Sequence, residues 1–369
     1  MSKDISYFPN REIEGGWRLI PTGHSSKMPN IDFNFIELEI KRQQLFFGNH
    51  PQSTVIIKDG YLVYENHSFM TLQQSRFDIW SCTKSFTGIA WMFLLEEIEN
   101  NKSSKNLDIN LETPIYNFLP KDFIKNDSRK KNINLHHLMS MTSGLKGENN
   151  DVYGLVAGPN NGPFEFAIGK CDNRYGKSVD VLSSEPGKQW DYSDSAVALL
   201  SFIFFEITKK NIHEYLYEKL FKIIGIENAS WDVHGGGNYF GPFTSSHVGL
   251  HISARDLSRF GYFMLKKGQW NNVQILPSDY IDLVTTKSQN LNSSYGYQFW
   301  INSDGVRWPS LPKDTYALEG YNSNRCYIIP SYNLIITRIG SGPSEWNEQN
   351  FVNNIFKGLK KINRNLIVF

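Results

Sequence analysis

The β-forming residues of this chain gather near its two ends, and that placement constrains the fold more than any other feature. One group is Thr54-Val55-Ile56-Ile57-Lys58 and Tyr61-Leu62-Val63-Tyr64, joined by Asp59-Gly60. Asp-Gly between two such runs predicts a tight hairpin, because both turn residues need positive φ. The other group lies in residues 295–300, 326–329 and 334–337. Isolated hairpins are marginal in water, so the two groups are expected to share one sheet. Residues 100–289, between them, read as helices and long loops. The expected fold class is therefore α+β: an antiparallel sheet flanked by helices, with an inserted helical lobe. The boundaries expected are 1–105 and 290–369 for the lobe formed by both chain ends, and 106–289 for the helical lobe, together one catalytic unit.

Several helices are legible within this frame. Residues 33–47 carry Phe33, Phe35, Ile36, Leu38 and Ile40 among charges, an amphipathic pattern. Residues 81–99 are apolar nearly all round, which predicts a central, buried helix. A helix is expected from Ser195 to about Lys209. Another is expected from Ser253, with Asp256 three residues on and Gly268 as a stop. The end, residues 345–361, reads as a closing helix.

Composition narrows the function classes. Lys and Arg total 38 against 37 Asp and Glu, a formal net charge of +1. That balance excludes the global basic footprint of a dedicated nucleic-acid binder. Three cysteines, Cys82, Cys171 and Cys326, are too few and odd in number for a disulfide framework. The most apolar stretch, residues 196–207, is too short to cross a bilayer. The first residues hold no apolar run followed by a small-residue cleavage site. The sequence as given thus reads as cytoplasmic, or as periplasmic or secreted if a signal has been removed.

The candidate nucleophile is Ser81. Ser-x-x-Lys occurs at Ser81, Ser128, Ser143 and Ser310. Ser128 lies in a solvated basic run, Ser143 precedes Gly144 in a turn, and Ser310 precedes Leu-Pro. Only Ser81 follows an apolar strand, residues 77–80, and opens a buried helix. Residues three apart share a helix face, so Lys84 can reach the Ser81 hydroxyl. The helix N-terminus supplies unpaired N–H groups and partial positive charge for an oxyanion. A second segment, Tyr192-Ser193-Asp194, precedes the helix at Ser195. A tyrosine there can pass a proton between nucleophile and leaving group. Packing of Tyr192, and a first-turn role for Asp194 against the helix dipole, are the plainer readings of that segment alone.

In order along the chain, these pieces resemble the serine β-lactamase and penicillin-binding-protein superfamily. The nearest branch is the class C β-lactamase-like serine hydrolases, with their esterases, D-amino-acid peptidases, transesterases and amide-oligomer hydrolases. Five segments carry the resemblance: the hairpin; Ile79-Trp80-Ser81-Cys82-Thr83-Lys84; His137 through Leu145; Pro186-Gly187 followed by Tyr192-Ser193-Asp194; and Gly249-Leu250 with Ala254-Arg255-Asp256-Leu257. The resemblance implies that Ser81 is acylated and that Lys84 and Tyr192 share the acid and base roles. It also implies a third element, Lys-Thr-Gly or His-x-Gly, on the strand lining the site. Counting back from Pro330 places it at Tyr321-Asn322-Ser323, with the N–H of Asn324 joining that of Ser81 as oxyanion hole. Two departures stand out. Asp194 replaces the usual Asn, and the third element as placed lacks both the cation and the glycine. Turnover of β-lactams is therefore doubtful, while acyl transfer is not.

Other signals weigh less. His247 and His251 are four apart, but no Glu follows His247 and Gly249 intervenes, so no metal is expected. His136-His137 reads as packing or capping. Gly176-Lys177-Ser178 lacks the first glycine of a phosphate loop, with Cys171 in its place. Cys82 is a second candidate nucleophile only if a histidine base reaches it. Trp231, Tyr239, Phe240 and Phe243 could line a groove, with loop packing the plainer reading. The expected activity is hydrolysis of an ester, amide or peptide through a Ser81 acyl-enzyme, without cofactor. A catalytically silent peptide- or cell-wall-fragment-binding protein and a biosynthetic acyltransferase remain as alternatives.

Overall fold

The computed structural model describes residues 7–19, 31–47, 50–68, 70–100, 108–146, 163–171, 180–234, 243–342 and 347–360. The hairpin forms as its turn chemistry requires. Strand β1 (Gln52–Lys58) runs into β2 (Tyr61–Ser68) through Asp59 and Gly60, at φ 53° and 76°. The short strands β3 (Phe77–Asp78), β4 (Ser230–Trp231) and β5 (Leu250–Ile252) form a small separate sheet, with β5 in the middle. The C-terminal part adds β6 (Trp300–Ile301), β7 (Tyr316–Gly320), β8 (Asn324–Ile329) and β9 (Leu334–Gly340). The main sheet is ordered β6-β7-β8-β9-β1-β2, antiparallel throughout, so the two chain ends meet along β9 and β1, with Ile56 opposite Ile336.

The sheet is covered on both faces, and side-chain alternation shows it. Val55, Ile57, Ile335 and Ile339 join the larger core. Ile56, Ile336 and Tyr327 join a second core with residues of helices α1 (Phe33–Phe47) and α5 (Glu348–Lys360), which pack on each other. In the larger core runs α2 (Thr83–Asn100), and α3 (Asp194–Thr208) packs against it. Buried hydroxyls on α2 find backbone acceptors, as buried polar groups generally do. Ser85 Oγ donates to the Gln298 carbonyl at 2.6 Å and Thr87 Oγ1 to that of Ser246 at 2.8 Å.

Three expectations need correction. Helix α4 (Ala254–Leu265), expected in the helical lobe, packs on β8, β9 and β1 and so belongs to the sheet layers. Its Ser253 cap accepts from the Asp256 N–H at 3.1 Å, as the sequence suggested. Residues 295–300 are not a strand up to Trp300, because Gln298 takes φ 64° and its side chain bonds the Met139 carbonyl at 2.8 Å. Ser81 is not on the helix itself but in a separate 3-10 turn, Trp80–Cys82, directly before it. The closing helix is observed at Glu348–Lys360. Among the described residues no helix is long and apolar enough to cross a membrane.

Candidate active site

The turn that carries Ser81 is held in an unusual shape. Trp80 sits at φ 51°, a costly conformation for a bulky residue. Asp78 pins it: its Oδ1 accepts the Trp80 N–H at 2.8 Å and the Gly249 N–H at 3.1 Å. Burial pushes the Asp78 carboxyl up, against those two bonds. Ile79 N–H donates to the Leu250 carbonyl at 3.0 Å, tying the turn to β5. The chain then enters α2, whose second residue is Lys84.

Lys84 is 1% exposed and makes three polar contacts. Its Nζ lies 2.7 Å from Ser81 Oγ, 3.1 Å from the His247 carbonyl and 2.6 Å from Asp194 Oδ1. The face of the Tyr192 ring lies 4.8 Å from the same Nζ. Tyr192 is in turn stacked on Trp300, with centroids 5.9 Å apart and planes at 16°. Trp190 and Tyr295 pack around this pair. The four aromatics form one wall of the site, and an open recess lined by Lys188, Trp190, Asn292 and Val306 shares Trp190 with it. Arg307 lies over Trp300 at 3.8 Å and pairs with Glu319.

Ser81, Lys84, Tyr192 and Asp194 thus converge, but Asp194 does not line the substrate side. It is buried beneath Lys84, at the first turn of α3 behind the Ser193 cap. Neither helix dipole nor substrate contact is its main partner; the ammonium is. The sequence spacing gave no hint of this, because Lys84 and Asp194 are far apart in the chain.

The third element lies elsewhere than the count from Pro330 suggested. Asn322 and Ser323 are turn residues at φ 58° and 63°, and Asn324 N–H donates back to the Tyr321 carbonyl at 3.3 Å. That N–H closes the β7–β8 turn and does not face Ser81. The Asn324 side chain is also committed, with Nδ2 2.7 Å from the Tyr321 carbonyl and Oδ1 accepting the Gly340 N–H at 2.8 Å. Tyr321 is 62% exposed and edge-on to Trp80 at 5.2 Å, so its side chain stands at the lip of the site. The strand that meets the nucleophile turn is β7, through Leu318-Glu319-Gly320. A Cβ built on Gly320 would lie 2.2 Å from the Ile79 carbonyl oxygen and 3.1 Å from the Cys82 nitrogen. Only glycine allows this approach. Leu318, two residues before it, is fully buried.

The remaining candidates resolve simply. Cys82 is buried and donates to the Asn324 carbonyl at 3.4 Å, and burial pushes its thiol well above the ordinary range. It is held as a thiol, not a nucleophilic thiolate. His251 pairs with Asp232 at 3.3 Å, while His247 offers its carbonyl to Lys84. His137 joins a capping box with Asn134, and burial pushes its ring down to about 4. His136 bonds the Tyr297 hydroxyl at 2.5 Å. Trp231 and Phe243 pack in the core; Tyr239, Phe240 and Gly176-Lys177-Ser178 lie outside the described residues, as does most of loops 147–163 and 234–246.

A sequence profile of the Beta-lactamase family matches residues 53–345, and the chain belongs to that family. An uncharacterized protein of Alkalihalophilus pseudofirmus is 23% identical over 348 residues, covering 85% of this chain and 90% of that one. The octameric penicillin-binding-protein homologue from Pyrococcus abyssi superposes with a TM-score of 0.66 at 18% identity, over 89% of this chain and 77% of its own. EstCE1, a hydrolase with promiscuous acyltransferase activity, superposes with a TM-score of 0.64 at 14% identity, over 89% and 99% of the two chains. These likenesses establish the β-lactamase/transpeptidase-like α+β fold.

Proposed function

We propose that the protein is a serine hydrolase that cleaves an ester or amide through a Ser81 acyl-enzyme. The observation that carries this reading is the 2.7 Å contact between Lys84 Nζ and Ser81 Oγ at the N-terminal end of a buried helix. Ser81 Oγ attacks the acyl carbon as its proton leaves toward Lys84. The carbonyl oxygen gathers charge against the N–H groups of Ser81 and Tyr321. Tyr321 takes the place expected of Asn324, because it follows Gly320 where β7 meets the nucleophile turn. Each such donor is worth about 3–4 kcal/mol. Tyr192, over Lys84, hands a proton to the leaving group, and water or another acceptor then releases the acyl group.

The substrate class follows from β7. Leu318 presents no charge, and Glu319, the next residue, is bound by Arg307 and Arg325. Substrates whose recognition depends on a carboxylate held by this strand, β-lactams among them, are disfavoured against neutral esters and amides. The test pairs a fluorophosphonate probe with p-nitrophenyl esters and nitrocefin. Labelling at Ser81 with ester turnover and little nitrocefin turnover is expected. Ester turnover that survives Ser81→Ala would refute the assignment.

A further inference from the structure

Lys84 Nζ has three polar partners. An ammonium has three N–H donors. Ser81 Oγ and the His247 carbonyl accept from it at 2.7 and 3.1 Å, and Asp194 Oδ1 is its ion-pair partner at 2.6 Å. The Tyr192 ring face at 4.8 Å is a fourth surface that favours a cation. This is a cradle for a fully protonated lysine, and such a lysine cannot accept the Ser81 proton unless it passes one on.

Resting on the hydrolase reading, we infer that Asp194 is the proton acceptor behind Lys84, so that the buried Lys84–Asp194 pair, not the amine alone, activates Ser81. As Ser81 Oγ forms its bond to the acyl carbon, the carbonyl π pair moves onto oxygen. The Ser81 proton passes to Lys84 Nζ, and one Nζ proton passes to Asp194 Oδ1. Lys84 is an ammonium before and after, and Asp194 becomes a neutral carboxylic acid. When the tetrahedral species collapses, the bond to the leaving group breaks, Tyr192 gives its hydroxyl proton to that group and takes one from Lys84 Nζ, and Asp194 returns its proton to Nζ. Both members are about 1% exposed, so bulk water does not compete for the proton. The sequence departure at the Tyr-x-Asn element thereby acquires a chemical purpose: an amide at position 194 could hold Lys84 but could not take its proton.

The other groups around Nζ do not supply that role. Cys82, on the nucleophile turn, is held as a thiol by burial. His247, from the loop before β5, contributes a carbonyl oxygen. Tyr192, on the segment before α3, presents its ring face. Asp194 is a positioning residue that acts through Lys84, and its effect is read in a pH profile.

The experiment compares wild type with Asp194→Asn. It follows the rate of fluorophosphonate labelling of Ser81 and kcat/KM for p-nitrophenyl acetate between about pH 5 and pH 10. Without the carboxylate, only an amine can take the proton, and amines hold theirs to far higher pH than carboxylates. The acid limb of Asp194→Asn is expected to move upward by at least about one pH unit. The loss near pH 7 should be at least tenfold, recovering as the solution becomes alkaline, by about pH 9. If instead Lys84 acts as a neutral base, removing the adjacent negative charge eases its deprotonation and the limb moves downward. A downward or unchanged limb therefore overturns the inference while Ser81 labelling in wild type still upholds the hydrolase reading. Absence of labelling in wild type overturns both. Should Asp194→Asn fail to fold by circular dichroism, the wild-type profile decides: an acid limb below about pH 7 agrees with a carboxylate acceptor, and one above about pH 8 refutes it.

Discussion

Replacing Gly320 by alanine is expected to separate the oxyanion donor from the nucleophile. The added Cβ would stand 2.2 Å from the Ile79 carbonyl oxygen and 3.1 Å from the Cys82 nitrogen. Both are backbone atoms, so no side chain can rotate away. Relief requires about 1 Å of movement between β7 and the nucleophile turn, a misplacement that can cost about 100-fold in rate. The turn is the fixed partner, anchored by Asp78 to Trp80 at 2.8 Å and by Ile79 to Leu250 at 3.0 Å. Strand β7 is the mobile one, because β6 pairs only with Tyr316 and Ala317 and leaves the outer edge of residues 318–320 uncovered by it. The Tyr321 N–H should therefore retreat from Ser81. Loss of one such donor costs about 3–4 kcal/mol in transition-state stabilisation, so labelling of Ser81 by a fluorophosphonate should slow by about 100-fold or more. Overpacking should also lower folding stability, by about 1–3 kcal/mol in a denaturant titration. The clash arises at Cβ, so Gly320→Ala should already show most of the effect of Gly320→Val. A folded Gly320→Ala protein that labels within about twofold of wild type would refute the placement of β7 as the oxyanion strand.

Three further outcomes are expected. Cys82→Ala should leave Ser81 labelling within about fivefold of wild type, since the thiol packs against the Asn324 carbonyl and is not the nucleophile; abolished labelling would return Cys82 to candidacy. Arg325→Met should destabilise the fold by about 3 kcal/mol in denaturant titration, because it strips a buried guanidinium from Glu348, 2.9 Å away, and from Glu319. Burial alone would push the Glu65 carboxyl up, but the Arg255 fork at 2.8 and 2.6 Å and the His67 contact outweigh it and hold it at about 2. The folded value lies below the unfolded one, so this stabilisation is full above about pH 4.5, is lost as pH falls toward 2, and amounts to about 3 kcal/mol at most. Glu65→Gln should accordingly flatten the fall in stability over that acid range, measured as denaturant midpoints at successive pH values.

How much of this was legible in the sequence depends on whether the signal was local. The Asp59-Gly60 turn could be read because its residues accept positive φ and the flanking runs are β-rich. Ser81 with Lys84 could be read because three-residue spacing on a helix is a contact rule, and the contact is there. The shape of the nucleophile turn could not: Trp80 at φ 51° carries no sequence mark, and Asp78 and β5 impose it from outside. The third element was displaced for the same kind of reason. Asn322 and Ser323 adopt positive φ without a glycine, so nothing announced a turn there, and the true contact residue, Gly320, lay just upstream.

Asp194 shows why a local reading can be correct and still miss the chemistry. As a first-turn carboxylate behind a serine cap, it satisfies the helix rule completely. Such a carboxylate on a solvated helix would contribute a fraction of a kcal/mol and could be replaced freely. Here α3 packs against α2, so the same residue meets Lys84 at 2.6 Å with both side chains about 1% exposed. A buried ion pair is costly to keep for stability alone, and removing one partner strands the other charge. Asp194→Asn would therefore cost fold stability by leaving the Lys84 charge uncompensated, and any effect on proton transfer at Ser81 has to be read apart from that loss. A double-mutant cycle between Lys84→Met and Asp194→Asn separates the two: if the pair serves only stability, their coupling appears in denaturant midpoints and Asp194→Asn still labels at Ser81 like wild type, and if it serves chemistry, Asp194→Asn slows labelling beyond anything its stability loss accounts for.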